Sequence, residues 1–298
     1  MQAENILTQF SDALATRLNA VQPLVVAIRN SHRHISGLLW QKDVVVTSEQ
    51  AMGDREEYEI VNAAGGTAKS RIIGRDPGTN ILALRLDRSF DVPLLEPSDA
   101  RAGELVLAVA AAFDGNPALR LGVLSAIGPQ WHSRAGGRID RRITLDIRLG
   151  RTEEGGPVLD SRGAVLGMST LGVAGAVLVI PFATLDRVLP QLLRDGQVAR
   201  GWLGFGLHPV AVPEPLREAA GQASGMIVMS IAAEGPAARA GVIAGDIVIS
   251  IDRTPVHNMR TIAAQLDADR IGRPVELRVI RGGELTVLAA TVGARPPS

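Results

Sequence analysis

Between Leu24 and Pro181 the sequence is broken into short runs rich in Val, Ile and Leu, separated by Gly, Asp, Asn and Pro. The runs are Leu24 to Ile28, Ile35 to Trp40, Val44 to Thr47, Glu57 to Val61, Ala68 to Asp76, Ile81 to Leu86, Leu105 to Ala110, Arg120 to Ile127, Ile143 to Ile147, Pro157 to Leu159, Ala164 to Thr170 and Ala176 to Pro181. Branched aliphatic residues suit a pleated, half-buried surface and the separating residues make turns, so each run predicts a strand. A dozen strands with little helix between them must close into barrels or sandwiches, because long unpaired edges template aggregation. The expected fold class is mainly β.

Two helices frame this region. Glu4 to Asn19 sets Ile6, Leu7, Phe10, Leu14 and Leu18 at helical spacing and Pro23 ends the pattern; Phe182 to Gly196 carries Leu185, Val188, Leu189, Leu192 and Leu193 on one face. Beyond Val198 stands a unit of about a hundred residues, a common domain size. Its expected order is strand (Leu203 to Leu207), a Pro-marked loop, strand (Gly225 to Ile231), short helix (Ala237 to Ala240), strand (Asp246 to Ile251), helix (Asn258 to Asp267), and a hairpin of Val275 to Ile280 and Glu284 to Thr291 turning at Arg281, Gly282 and Gly283. The division expected is a helix over 1–22, a β domain over 23–197 and an α+β domain over 198–298.

Composition removes several functions. Thirty-one basic residues balance thirty-one acidic ones, so charge gives no argument for nucleic acid or an anionic membrane surface. No run of eighteen apolar residues occurs, and Met1 to Ala20 contains Glu4, Asp12 and Arg17, so neither a membrane span nor a secretory leader is expected in this chain. With no cysteine there is no disulfide, thiolate nucleophile or Cys-type zinc site. His32 and His34 alternate in sequence as two metal ligands on a strand would, but no third ligand accompanies them, and a surface loop is the default. No cofactor is implied.

The stretch Ile143 to Thr170 decides what chemistry is possible. It reads as strand, tight turn at Gly155, Gly156 and Pro157, strand, hairpin turn around Ser161 to Gly163, strand. This resembles the nucleophile-bearing segment of HtrA-type, trypsin-like serine proteases, where the turn reads G-N-S-G-G-P; here it reads Thr152, Glu153, Glu154, Gly155, Gly156, Pro157, with Glu154 at the serine position. LGVLSAIG at Leu121 to Gly128 is similar to the family's G-I-V-S-A-L-G strand, and AVLVIPF at Ala176 to Phe182 to its G-I-G-F-A-I-P. The C-terminal unit resembles the family's PDZ domain: Trp202, Leu203, Gly204 and Phe205 match the carboxylate-binding loop, and GPAARAGVIAGD at Gly235 to Asp246 matches a second PDZ turn. The resemblance implies a double six-stranded β-barrel followed by a PDZ domain, export to the periplasm, and homo-oligomers, commonly trimers, built through the N-terminal segment.

The other two catalytic positions follow by the same motifs. The family's V-T-N-N-H aligns with Val46 to Gln50, putting Gln50 where the histidine belongs; D-P-x-T-D-I-A aligns with Asp76 to Leu82, putting Asn80 at the aspartate. An amide such as Gln50 cannot accept a hydroxyl proton near neutral pH, and Asn80 cannot stabilise an imidazolium. Glu154 brings negative charge to where an oxyanion would form, and Thr152 replaces a glycine of the oxyanion loop next to Glu153. Losing all three members predicts a pseudoprotease. Two readings stay open for Glu154: an acid/base pair with Glu153, or a carboxylate that fills a dead cleft, either solvated or paired with an arginine such as the nearby Arg148 or Arg151.

In the PDZ-like unit, Gly204 lets successive backbone N–H groups face a peptide's terminal carboxylate, the following strand accepts the peptide as an added strand, and Ile262 and Leu266 line a pocket for its last side chain. The alternatives are a groove capped by other parts of the chain, and Trp202 and Phe205 serving as core. The expected function is a catalytically inactive peptide-binding, protein-quality-control scaffold whose partners are C-terminal or extended peptides of protein clients. The alternative is a residual or altered peptidase using residues outside the three standard positions.

Overall fold

The computed structural model describes residues 2–30, 32–53, 55, 57–133 and 135–296. The chain divides into two compact units, 1–131 with 139–198, and 199–298 with 132–138.

The first unit opens with helix α1 (Gln2–Val21), which gives way to a 3-10 turn over Gln22–Leu24 with Pro23 in its first turn. Strands β1 (Val25–Arg29), β2 (His34–Gln41), β3 (Val44–Ser48), β4 (Glu57–Asn62), β5 (Thr67–Asp76) and β6 (Ile81–Leu86) close a barrel in the order β1-β2-β3-β6-β5-β4. Strands β7 (Leu105–Ala111), β8 (Pro117–Gly128), β9 (Arg142–Leu145), β10 (Pro157–Asp160), β11 (Val165–Leu171) and β12 (Val177–Pro181) close a second in the order β7-β8-β9-β12-β11-β10. The connectivity of the first barrel is thus repeated in the second. The mainly β architecture is what the runs predicted, and the two six-stranded barrels are what the resemblance implied.

Strand periodicity sorts the side chains into three cores. Val26, Ile28, Leu39, Val45, Leu82 and Leu84 pack together within the first barrel, and Val106, Ala108, Leu124, Val158 and Val179 within the second. Their sequence neighbours Val25, Ala27, Val46, Leu107, Val109 and Leu159 point to the opposite faces and join a cluster shared by both barrels. Helix α2 (Phe182–Asp195) adds Leu185, Val188, Leu189 and Leu192 to that shared cluster. Each such side chain, removed from water, stabilises the fold by about 1.5–3 kcal/mol. The two barrels are therefore held against each other along an apolar seam, and the polar groups discussed below sit on that seam.

The second unit is an antiparallel sheet in the order β13 (Phe205–Ala211), β14 (Ser224–Ile231), β15 (Ile247–Ile251), β16 (Pro274–Arg281) and β17 (Glu284–Thr291), with Thr254–Pro255 paired to β15. Short helices α3 (Arg217–Ala220) and α4 (Pro236–Arg239) and helix α5 (Met259–Gln265) complete it, α5 starting at a capping box between Asn258 and Thr261.

Sequence and structure differ in places. The strand expected over Leu203 to Leu207 begins only at Phe205 and continues to Ala211, through Pro209. A proline is tolerated there because β13 is an edge strand. The Pro-marked loop also holds a 3-10 turn and α3, whose apolar positions are too few to show a helical period. The helix expected over Asn258 to Asp267 is shorter: Asn258 caps it, and Leu266 has left helical geometry with φ −118° and ψ 38°. The strand placed at Ile143 to Ile147 ends at Leu145. Of the two histidines expected to alternate on a strand, only His34 lies on β2; His32 precedes it in the loop, and the His34 ring meets Phe113 edge-on at 5.7 Å.

Candidate functional site

Three turns bring polar groups to the barrel seam. After β3 a 3-10 turn over Glu49–Ala51 carries Gln50. After β5 the Asp76 carboxylate accepts from the N–H groups of Gly78 and Thr79 and from Thr79 Oγ1 (2.6 Å), tightening the turn that sets Asn80 at φ 58°. Asparagine tolerates this left-handed conformation better than most residues. The Gln50 N–H donates to Asn80 Oδ1 at 2.8 Å, locking the two turns together.

Glu154 arrives from the other barrel on the turn before β10. Gly155 follows it at φ 92°, where any Cβ would collide with Thr47 Oγ1 and the Ser36 carbonyl; a Cβ on Gly156 would strike the Val109 carbonyl. Only glycines pass here, so the Gly-Gly pair fixes where the Glu154 side chain can lie.

Glu154 is 4% exposed, and four donors converge on its Oε1: Gln50 Nε2 at 2.5 Å, Ser48 Oγ at 2.7 Å, Thr170 Oγ1 at 2.8 Å and the Leu171 N–H at 3.1 Å. Asn80 Nδ2 donates to Ser48 Oγ (2.8 Å) and Thr170 Oγ1 (2.7 Å), and Gln50 Nε2 also donates to the Leu171 carbonyl (2.8 Å). Each hydroxyl thus accepts from an amide and donates to the carboxylate. All four donors thus meet a single carboxylate oxygen, Oε1, from both barrels. Burial of a charge without such partners is strongly unfavourable.

The expected triad positions Gln50, Asn80 and Glu154 are therefore brought together, in a network that contains no imidazole. Its two hydroxyls are sealed off, Ser48 at 0% and Thr170 at 4% exposure. The two pairings weighed for Glu154 are both corrected. It takes no arginine, because the hydroxyl and amide donors occupy it. Glu153 is not its acid/base partner but turns outward to Arg120 at 2.7 Å and to the Gly150 N–H. Thr152 is exposed, with its carbonyl accepting from Ser36 Oγ at 2.9 Å. A cleft of about 1350 Å³ opens over the network, bordered by Gln50, Met52, Tyr58, Arg151, Thr152 and Leu171. No group of three or more potential metal ligands occurs among the described residues, and none of their helices is long and apolar enough to cross a membrane.

In the second unit, Gly201–Trp202 pairs with Gly293–Ala294 and leads into a loop at Leu203 and Gly204. Leu203 is buried, its carbonyl accepting from the Ala237 N–H at 2.7 Å, and Gly204 has φ 83° and accepts from the Ala232 N–H at 2.7 Å. Among the described residues no backbone acceptor takes the N–H of Leu203 or Gly204. A Cβ on Gly204 would press on the Trp202 ring and on Gly235. Phe205 and Leu266 pack at the margin of the core cluster, whereas Ile262, expected in a pocket wall, is 3% exposed within that cluster.

Residues 35–168 match the trypsin-like peptidase domain family and residues 201–292 the PDZ domain family. A probable periplasmic serine endoprotease DegP-like of Bartonella henselae is 30% identical over 283 residues, covering 89% of this chain and 55% of that protein. The chain carries a trypsin-like peptidase domain and a PDZ domain and is similar to HtrA-type proteases. A second DegP-like relative, from Brucella suis, is 29% identical over 272 residues, 88% of this chain and 52% of its own length. The chain spans about half the length of these two relatives. Among solved structures, the HtrA-type protease AlgW with decapeptide has a TM-score of 0.74 at 22% identity, covering 95% of this chain and 99% of that one. The serine endoprotease from Yersinia pestis gives 0.71 at 21%, covering 94% and 98%.

Against the HtrA-like pattern, sequence reading overlooked Ser48, Thr170 and Leu171. Only Thr170 stands inside a run read as strand; Ser48 and Leu171 each lie one residue beyond one. Ser48 ends β3, and Thr170 and Leu171 close β11.

Proposed function

We propose that this HtrA-like chain is a pseudoprotease: a peptide-binding scaffold for protein quality control that recognises C-terminal or extended peptides through its PDZ domain and cuts no peptide bond. The observation that carries the reading is the Glu154 carboxylate at the nucleophile position, held by Gln50, Ser48, Thr170 and Leu171. A nucleophile needs a base to remove its proton, and the two hydroxyls of the network, Ser48 and Thr170, are buried donors to the Glu154 carboxylate with no imidazole beside them. Negative charge at that point also opposes an oxyanion.

Binding by the PDZ domain is supported by the N–H groups of Leu203 and Gly204, which no backbone acceptor takes among the described residues and which suit a carboxylate, and by the edge position of β13. Assembly of several copies through α1 belongs to the same reading. Leu14 and Leu18 pack on the core, while Ile6 (65% exposed) and Leu7 (71%) extend the same apolar stripe into solvent. The periplasm is the proposed compartment, supported by the names of the relatives. We take the functional parts as the helix 1–22, the barrels 23–197 and the PDZ domain 198–298.

The test pairs a fluorophosphonate probe with turnover of unfolded casein. Silence in both, together with binding of peptides bearing a free C-terminus, is the expected result. Covalent labelling with casein cleavage overturns the reading in favour of an altered peptidase.

A further inference from the structure

The open edge of β13 is not a uniform template. The Gly204 carbonyl accepts from Ala232 and the Val212 N–H donates to the Ala223 carbonyl, so at both ends of the strand the even-numbered residues face β14. The register between them slips once, between Gly206 and Leu207, but the extra residue, Met229, lies on β14, leaving β13 strictly alternating. The odd-numbered residues Phe205, Leu207, Pro209 and Ala211 therefore turn their backbone groups to the free edge. Three of them present an N–H and a C=O. Pro209 presents only a C=O.

We propose that Pro209 sets the length of peptide the PDZ domain reads, limiting backbone recognition to the last three residues of the ligand. This rests on the peptide-binding reading above. A terminal carboxylate held at Leu203 and Gly204, the N-terminal end of β13, makes the bound peptide run antiparallel to the strand. Its last residue then pairs with Phe205 and the residue two before it with Leu207. The residue four before the end comes opposite Pro209, where its carbonyl finds no donor. A carbonyl taken from water and left unpaired weakens binding, so extension past three residues adds no affinity from the ladder. Proline on an edge strand also discourages pairing with other chains, but that role alone makes no distinction between short and long ligands.

The experiment titrates the full chain with acetylated tripeptides ending in Val, Ile, Leu, Phe or Ala, then with the best of them extended at its N-terminus by two and four alanines. In the natural protein the three lengths are expected to agree in Kd within about twofold. In Pro209→Ala the extended peptides are expected to gain about fivefold, the order of one net hydrogen bond, while the tripeptide is unchanged. Tightening of the natural protein's Kd with length, or an equal length dependence in both proteins, overturns the role of Pro209 and leaves peptide binding standing. Failure of every peptide to bind either protein overturns the peptide-binding reading itself, and this proposal with it.

Discussion

Gln50 Nε2 lies 2.5 Å from Glu154 Oε1, so the side chains in the seats of base and nucleophile are bonded to each other as donor and acceptor. In a working hydrolase the direction is reversed: the nucleophile donates and the base accepts. In the proposed reading, a fixed contact between two barrels stands where a protease has its proton-transfer pair.

That contact should be measurable as stability. Glu154→Ala strands the donors from Ser48, Gln50, Thr170 and Leu171 and is expected to cost about 2–4 kcal/mol, roughly 4–16 °C in melting temperature for a unit of this size. Glu154→Gln keeps an acceptor but loses the charge, and should cost about half as much. Calorimetry of the three proteins decides; an alanine variant as stable as the parent would mean the network holds nothing together.

The seam keeps the positions of a hydrolase, so chemistry should be recoverable only in concert. Glu154→Ser alone lacks a base and should stay silent to a fluorophosphonate probe. Gln50→His, Asn80→Asp and Glu154→Ser combined with Thr152→Gly should become labelled. Labelling of the single variant would show that some other residue serves as base.

Gly204→Trp puts a large side chain where Gly204 has φ 83° and where the Trp202 ring and Gly235 already crowd the space of a Cβ. Binding of a C-terminal tripeptide should weaken at least about tenfold, or 1.4 kcal/mol, with the melting of the barrels unchanged. Unaltered affinity would move the binding site elsewhere.

For α1, Ile6→Glu with Leu7→Glu should lower the mass seen by light scattering to that of one chain while circular dichroism stays the same. An unchanged mass would place the assembly contact outside this helix.

Asp246 supplies a pH prediction. Burial works against its ionisation, but the Arg281 guanidinium at 2.7 Å and the Ile243 N–H outweigh it and hold the carboxyl below the usual aspartate range. The unfolded chain therefore takes up this proton first as pH falls. The stabilisation is present in full above about pH 3.9 and is lost as pH drops through the lower folded value. Melting of the second unit should fall more steeply below pH 4 in the parent than in Asp246→Asn, and parallel slopes would exclude this residue.

Much of this was readable in the chain. All twelve barrel strands follow from aliphatic runs and turn residues, because a side chain on a closed sheet has a definite face. Gln50, Asn80 and Glu154 follow from the resemblance to the motifs of HtrA-type proteases. What escaped was pairing: nothing local tells Glu154 to choose Ser48 and Thr170, 106 and 16 residues away respectively, over Arg151 three positions back. Pro209 misled for the opposite reason, since its local signal says loop and only its place at a sheet edge permits strand.

The repeated strand order has a last consequence, for assembly. Each barrel is completed by neighbours in one stretch of chain, so each is expected to close without waiting for the other. The meeting of Gln50 with Glu154 must wait for both. The seat that the proposed reading assigns to catalysis in proteases is then, in this chain, the place where the fold of the two halves is finished.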